Sequence, residues 1–249
     1  MKKNVKRFLS IFAVLLSVPA YAEAPQLGEW QLLFENDDGR AVALDVYRET
    51  PVILDDKGHI YFLNKEIGKE TDGDWFGEVY EHWQKVSGGG VAMDISVECD
   101  GVPGVVGKKS RKIYYLDVDF AGPNRGWIEH PGNGRASRIS VAKASGTPYM
   151  VGAVYGRVFK GNDNGWQALT TRIVDSNGAD TAESLKAIDI YAKTYTIASG
   201  DNTDKRELVF AINQDKKAFL HYPAKNARKE LPGGATATAI VTSGKLVYI

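Results

Sequence analysis

A short motif of alternating character recurs along the chain at nearly constant spacing. Its four copies are Ala43-Leu44-Asp45-Val46, Ala92-Met93-Asp94-Ile95, Arg138-Ile139-Ser140-Val141 and Ala187-Ile188-Asp189-Ile190. The polar residues in these copies are 49, 46 and 49 positions apart. An aromatic residue that begins a strand recurs in step with the motif, and its five positions are Trp30, Trp83, Trp127, Trp166 and Phe219. A period of this length indicates a repeat fold, in which one supersecondary unit must stack on the next to bury its faces.

Each unit contains two further runs of β-branched and aromatic residues, which are typical of half-buried antiparallel strands. In the fourth unit these runs are Tyr195–Ala198, interpreted as the second strand, and Glu207–Phe210, interpreted as the third, with Phe219 on the fourth. No window keeps apolar residues at helical spacing over three turns. The 227 residues after position 22 give about 45 per unit for five units. We therefore expect an all-β, five-bladed β-propeller built from four-stranded antiparallel blades.

The two ends of the sequence fit together in this arrangement. The strand Trp30–Phe34 precedes the first inner strand, and residues 237–249 provide inner strands of the last unit. We expect the N-terminal strand to complete the last blade, because closure covers two sheet edges that would otherwise pair with other chains.

Residues 1–22 have the features of a cleaved signal peptide. Four basic residues precede an apolar run from Phe8 to Val18, and Ala20-Tyr21-Ala22 provides a small-x-small cleavage site. The run is too short for an ordinary membrane anchor, and no later run reaches about 18 apolar residues. We therefore expect a secreted or periplasmic protein that is not inserted in a membrane, with residues 23–249 forming one propeller domain.

Charge and composition exclude several kinds of partner. The chain has 31 Lys+Arg and 31 Asp+Glu, so it has no net charge that would recruit nucleic acid. The single Cys99 has no partner for an internal disulfide, and the four histidines lack metal-ligand spacing. We expect no nucleic acid partner, no metal and no cofactor.

One stretch carries a family resemblance. Its motifs are Arg138-Ile139-Ser140-Val141-Ala142, Gly146-Thr147-Pro148-Tyr149-Met150-Val151, Gly156-Arg157-Val158-Phe159 and Gly165-Trp166. This stretch resembles the repeat of the tachylectin and tectonin class of β-propeller lectins. The resemblance implies a propeller fold and carbohydrate recognition through loops. The other four units depart from the pattern in loop length and sequence.

Binding loops gather at one end of a propeller, and the same unit contains the candidate ligand-binding residues. These residues are Tyr155, Asn162, Asp163, Asn164 and Trp166. An aromatic ring can stack on a sugar, and the amide and carboxylate groups can bond its hydroxyls. Weak sites on more than one blade would act together through avidity.

The polar residues of the recurring motif are predicted to share one register that lines the channel: Asp45, Asp94, Ser140 and Asp189. They can be interpreted as a glycoside hydrolase site, which needs two carboxyl groups of different pKa. They can also be interpreted as structural acceptors of backbone N–H groups. The leading hypothesis is an exported, non-catalytic, carbohydrate-binding protein. The alternatives are a protein-interaction scaffold in the cell envelope or a secreted complex, and a glycoside hydrolase that uses the inner-strand carboxylates.

Overall fold

The structure is a computed structural model, and it describes eleven segments of the chain. They are residues 40–47, 50–63, 76–80, 83–86, 90–97, 102–116, 126–174, 180–199, 202–232, 237–243 and 246–248. All of them belong to one unit, residues 32–249. The predicted signal peptide, the strand Trp30–Phe34 and Cys99 lie outside the described residues.

Four antiparallel sheets follow one another along the chain. The first has the strand order β1-β2-β3-β5-β4, with β1 (Ala41–Tyr47), β2 (Thr50–Asp55), β3 (Ile60–Leu63), β4 (Phe76–Tyr80) and β5 (Trp83–Val86). The second has the order β6-β7-β8-β9, with β6 (Ala92–Val97), β7 (Pro103–Gly107), β8 (Ile113–Leu116) and β9 (Trp127–Glu129). The third has the order β10-β11-β12-β13, with β10 (Ala136–Ala142), β11 (Thr147–Gly152), β12 (Val158–Asn162) and β13 (Gly165–Ala168).

A two-stranded hairpin separates the third sheet from the fourth, and another hairpin follows the fourth sheet. The first hairpin consists of β14 (Thr170–Val174) and β15 (Asp180–Ser184). The fourth sheet has the order β16-β17-β18-β19, with β16 (Asp189–Ser199), β17 (Asn202–Ile212), β18 (Ala218–Tyr222) and β19 (Ala227–Glu230), and a short 3-10 helix (Pro223–Lys225) joins its last two strands. The final hairpin consists of β20 (Val241–Ser243) and β21 (Leu246–Tyr248).

The buried side chains lie between successive sheets. One cluster joins Leu54 of the first sheet to Ile95 of the second, and another joins Ile113 of the second to Met150 of the third. A third cluster joins the third sheet to the fourth, and a fourth joins Phe210 to Ile240 in the last segment. Four-stranded antiparallel sheets that pack face to face in chain order make a β-propeller. The all-β β-propeller expected from the repeat is therefore correct.

Each sheet has a front end and a rear end. The front end is the end at which the innermost strand begins, and it also carries the turn between the second and third strands. The rear end is the end at which the innermost strand finishes. These definitions follow from the antiparallel register, in which Ala92 pairs with Gly107 at the front and Val97 pairs with Pro103 at the rear.

Four sheets have four or more strands among the described residues, and not the five that were predicted. The fifth unit is represented there by residues 237–243 and 246–248, which form only the β20–β21 hairpin. The strand predicted to complete that unit, Trp30–Phe34, lies outside the described residues.

The assignment of strands in the fourth unit was wrong. Tyr195–Ala198 continues the innermost strand β16, which pairs over eleven residues with β17, and Glu207–Phe210 belongs to this second strand. Phe219 consequently lies on the third strand, β18. The physical reason is local, because residues 190–194 contain no Gly, Pro, Asn or Asp to end the strand.

Candidate functional site

The polar residues of the innermost strands lie in two rows, and not in the single register that was predicted. A β-bulge near the start of β1, β6 and β10 follows an alanine in each strand: Ala41, Ala92 and Ala136. Counted from that alanine, Asp45 and Ser140 are four positions on, and Asp94 is two positions on. Aligning the alanines shows the same pattern at Ala187 and Ala237, which places Asp189 in the row of Asp94. The alanine was the sequence signal that would have given the correct register.

The first row consists of Asp45, Ser96 and Ser140, and each residue accepts a backbone N–H from the next innermost strand. The Oδ2 atom of Asp45 accepts from the N–H of Val97 at 2.7 Å and from the Ser96 hydroxyl at 3.2 Å. The Ser96 Oγ atom accepts from the N–H of Val141 at 2.9 Å. The Ser140 Oγ atom accepts from the N–H of Ala192 at 2.8 Å.

The second row contains Asp94, Arg138 and Asp189. The Oδ2 atom of Asp94 accepts from the N–H of Ile139 at 2.7 Å, and the Oδ2 atom of Asp189 accepts from the N–H of Ile240 at 3.2 Å. Arg138 stands between the two carboxyl groups, with its Nε atom 3.6 Å from Asp189 Oδ1. The two rows together therefore connect each unit to the next along the chain, and they satisfy backbone N–H groups that would be costly to bury unpaired.

Electrostatics set the protonation of this second row. Burial raises the pKa of Asp94 from its ordinary 3.8 to about 7, although the N–H of Ile139 and the charge of Arg138 act in the opposite direction. Burial also raises the pKa of Asp189, against the lowering effects of Arg138 and the N–H of Ile240. A carboxyl group with a raised pKa can donate a proton, which is the property that a general acid needs.

One lysine connects units that are not neighbours along the chain. The Nζ atom of Lys143, directly after β10, donates to Asp45 Oδ1 at 2.7 Å and to the carbonyl oxygen of Val46. The third unit thus contacts the first at the rear end of the innermost strands. Asp45 has four hydrogen-bond donors in all, because the N–H of Val46 also donates to its Oδ1 atom at 2.7 Å.

A second set of repeated hydrogen bonds lies at the front end. The turn between the second and third strands of each unit has one residue with positive φ, and the carbonyl oxygen of that residue accepts the N–H of the alanine that begins the next innermost strand. The four pairs and their N···O distances are Gly58 with Ala92 (2.9 Å), Arg111 with Ala136 (2.6 Å), Gly156 with Ala187 (2.7 Å) and Lys216 with Ala237 (3.1 Å). This bond fixes the front turn of each unit against the unit that follows.

The five predicted ligand-binding residues lie at two ends of one strand. Tyr155 is exposed in the front turn between β11 and β12, whereas Asn162, Asp163 and Asn164 are exposed in the rear turn between β12 and β13. The length of β12 separates the two turns by about 15 Å, at about 3.3 Å per residue. In the rear turn, the N–H of Asn164 donates to Asn162 Oδ1 at 2.9 Å.

Trp166 lies beside that rear turn but is partly covered by the preceding sheet. Its ring is 4.3 Å from that of His130, measured between centroids, and it packs against the buried cluster that contains Met150. A Cβ atom on Gly132 or Gly161 would lie 2.9 or 3.0 Å from this ring. The indole therefore contributes to the contact between the second and third sheets.

A carboxylate that the sequence analysis did not single out has four side-chain donors. Glu207 of β17 accepts from the hydroxyls of Ser145 (2.9 Å), Thr147 and Tyr149 (2.6 Å) and from the Nζ atom of Lys160 (2.5 Å). Burial alone would raise the pKa of Glu207, but these donors outweigh it and lower the pKa to about 2. The ionised carboxylate joins the fourth sheet to the third. Its donors are 47 to 62 positions away in the sequence, so no local motif could have predicted the contact.

Among the described residues, no group of three His, Cys, Asp or Glu side chains is placed to hold a metal ion. In the same part of the chain, no helix is long and apolar enough to cross a membrane.

Comparisons with known proteins give only distant similarity. No protein-family model matches the chain, and no curated protein matches its sequence. Its structure is similar to the crystal structure of human WBSCR16, with a TM-score of 0.45 and 13% sequence identity over 83% of this chain and 57% of that one. It is also similar to YCF48 bound to D1 peptide, with a TM-score of 0.40 and 10% identity over 81% of this chain and 69% of that one. At these TM-scores the similarity carries no functional argument, and the fold assignment rests on the sheets themselves.

Proposed function

We propose that this protein is an exported, non-catalytic binding protein, and that carbohydrate is its ligand class. The observation that carries the proposal is the use of the innermost polar residues. Asp45, Asp94, Ser140 and Asp189 each accept a backbone N–H from the following innermost strand. Because these groups hold neighbouring units together, they support a structural role, which leaves recognition to the exposed turns.

The proposal includes a ring of five units. The Ala-x-x-Ile/Leu pattern occurs five times, beginning at Ala41, Ala92, Ala136, Ala187 and Ala237. The fifth copy receives the same front-turn hydrogen bond as the copies before it, from Ala237 N to Lys216 O. Like Ile139 of the third unit, Ile240 also donates its N–H to an aspartate of the preceding innermost strand, Asp189. We propose that Trp30–Phe34 adds a strand to this fifth unit and closes the ring. Deletion of residues 23–34 should then lower the melting temperature sharply, and an unchanged value would contradict the closure.

Export is part of the same proposal. Cleavage after Ala22 would leave Glu23 as the first residue of the mature protein. N-terminal sequencing of the protein from its native host tests this directly, and a protein that retains Met1 to Ala22 would contradict it.

The rear turn of the third unit is the proposed sugar contact. Asn162, Asp163 and Asn164 are all exposed there, and their amide and carboxylate groups can donate to and accept from sugar hydroxyls. Trp166 is partly exposed and directly follows this turn in the chain. Tyr155 at the front end would serve a separate contact, because one monosaccharide cannot reach both turns.

A glycan array followed by titration of the best glycan tests this proposal. We expect Asp163→Ala to weaken binding at least fivefold and the matched variant Asp215→Ala, in the front turn of the fourth unit, to leave it unchanged. The absence of binding to all glycan classes would exclude a lectin. Equal losses for both variants would exclude the rear turn as the site.

One observation favours the hydrolase alternative. Burial, with a smaller contribution from the charge of Asp189, raises the pKa of Asp94 to about 7, and glycoside hydrolysis requires one carboxyl group of raised pKa beside a second carboxyl group. The alternative requires turnover of a glycoside that Asp94→Asn or Asp189→Asn abolishes. A panel of chromogenic glycosides without turnover would exclude it.

A further inference from the structure

The front end of the sheets concentrates basic charge that the composition conceals. We define the front face as the four front turns, residues 55–59, 107–112, 152–157 and 212–217, together with the segments 40–42, 90–92, 135–137 and 186–188 at which the innermost strands begin. These ranges contain eleven Lys and Arg but only three Asp and no Glu. Two of the cations form ion pairs with glutamates at the ends of outer strands, Lys112 with Glu129 (2.7 Å) and Lys217 with Glu230 (3.3 Å), so basic charge is still in excess. The whole chain has 31 Lys and Arg and 31 Asp and Glu. Its net charge of zero argued against an anionic partner, but that zero is an average, because the basic residues are concentrated at one end of the sheets.

The same face exposes apolar side chains. Six large hydrophobic residues are exposed among the described residues, and five of them belong to the front face: Val42 (51%), Val91 (43%), Val154 (72%), Tyr155 (70%) and Ile188 (38%). Val154 and Tyr155 are the most exposed, and they occupy the tip of the front turn of the third unit. The guanidinium of Arg157 lies 5.8 Å from the centre of the Tyr155 ring.

The same hydrogen bond holds each front turn against the innermost strand of the unit that follows. Each turn carbonyl accepts the N–H of the next alanine, from Gly58 with Ala92 to Lys216 with Ala237. Equivalent positions in successive units are therefore presented together at one end of the sheets. A flat partner can contact several turns at the same time, and the weak attraction of each turn then adds to that of the others.

We propose that the front face binds the surface of an anionic phospholipid bilayer, with Val154 and Tyr155 entering the interfacial region. Basic residues are attracted to anionic headgroups, and aliphatic and Tyr side chains partition into the headgroup boundary. Nucleic acid fits less well, since four of the five apolar residues are aliphatic and do not stack on bases. An acidic protein also fits less well, because protein interfaces centre on aromatic anchors enclosed in pockets, whereas Val154 and Tyr155 are exposed at the tip of a turn. This contact goes beyond the proposed sugar binding, which lies at the rear turn.

Vesicle co-sedimentation with the full mature chain tests the proposal. The vesicles contain either 30% phosphatidylglycerol in phosphatidylcholine or phosphatidylcholine alone. We expect binding to the anionic vesicles in 50 mM NaCl, loss of that binding in 500 mM NaCl, and no binding to the neutral vesicles. Equal binding to both vesicles, or binding to neither, would overturn the proposal.

Matched pairs of variants locate the contact. Each lysine near an anionic surface is worth about a fivefold change in partition coefficient, so we expect Lys108→Gln with Lys109→Gln to weaken binding about 25-fold. The control is Lys225→Gln with Lys229→Gln, which removes the same charge away from the front face and should change binding less than twofold. The two pairs behaving alike would overturn the assignment of the contact to this face.

The apolar residues of the front face are tested with a variant and a matched control in the same vesicle assay. We expect Val154→Ser with Tyr155→Ser to weaken vesicle binding at least tenfold, and Ile128→Ser on the outer strand β9 to leave it unchanged. All of these side chains are exposed, so folding is preserved and is checked by the melting temperature. Retention on polyglutamate or on a DNA oligonucleotide without binding to anionic vesicles would overturn the proposal in favour of those partners.

Discussion

Replacement of Asp94 by Asn tests whether burial of this carboxyl group destabilises the folded chain. An Asn side chain keeps an oxygen that can accept the N–H of Ile139, a bond of 2.7 Å in the structure, but it has no charge to bury. Burial raises the pKa of Asp94 from 3.8 to about 7. A group whose pKa is raised by folding stabilises the folded state fully below its unfolded pKa, and that contribution is lost as the pH rises through its folded pKa. As the pH rises from about 4 to about 7, Asp94 therefore progressively lowers the free energy of unfolding, and the loss is complete above about pH 7.

The magnitude follows from the size of that shift. Each unit of pKa corresponds to about 1.36 kcal/mol, so a shift from 3.8 to about 7 gives a ceiling of about 4 kcal/mol. Asp94 is partly exposed, and solvent screening should reduce the effect to about 2 kcal/mol. We therefore expect Asp94→Asn to match the wild type at pH 4 and to be more stable by about 2 kcal/mol at pH 8.

Urea unfolding at pH 4, 6 and 8 measures this difference. The exposed Asp163→Asn variant is the control and should stay within about 0.5 kcal/mol of the wild type at each pH. An Asp94→Asn protein that is less stable than the wild type at pH 8, or a difference that does not change with pH, would refute the reasoning.

Three other variants test the contacts between units. Ser140→Ala leaves the buried N–H of Ala192 without an acceptor and should cost about 2 kcal/mol, seen as a melting temperature lower by about 4–8 °C; a change below 1 °C would contradict it. Glu207→Gln should cost about 3 kcal/mol at pH 7, and it should remove the loss of stability that the wild type shows as the pH falls from 4.5 towards 2; a parallel loss in both proteins would contradict this. Gly156→Ala places a Cβ atom 2.8 Å from the carbonyl oxygen of Ala187 at a φ of +64° and should cost about 2 kcal/mol in urea unfolding, whereas the control Gly90→Ala has open space and should be neutral.

The sequence predicted most of the strands because their information is local. In the first three units, the Gly, Asp and Asn residues at most of the turns and the alternation of apolar residues identify the strands on both sides of the hairpins. In the fourth unit the absence of turn residues between Ile190 and Tyr195 marks one long strand, and the assumption of equal strand lengths led to the wrong assignment. The absence of turn residues in the fourth unit indicated one long strand, but the interpretation followed the strand lengths of the other units instead.

The candidate site was less predictable because its geometry depends on contacts across units. Asp45 lies four residues after its inner alanine and Asp94 lies two residues after its own, which places them in different rows, and the bulge that marks each alanine is a property of the strand pairing. Glu207 is joined to residues 47 to 62 positions away, and no sequence spacing within a unit encodes that contact. The front face could not be predicted for the same reason. Its charged residues belong to eight short segments that come close together only in the folded chain.

Native-state hydrogen exchange of the backbone amides tests most directly whether the innermost polar residues hold the units together. The amides of Val97, Ile139, Val141 and Ala192 should exchange slowly, because side chains of the preceding inner strand accept their N–H groups. Ser140→Ala should accelerate exchange at Ala192 at least tenfold while leaving Val97 unchanged. Equal exchange rates at Ala192 in the variant and the wild type would contradict the account.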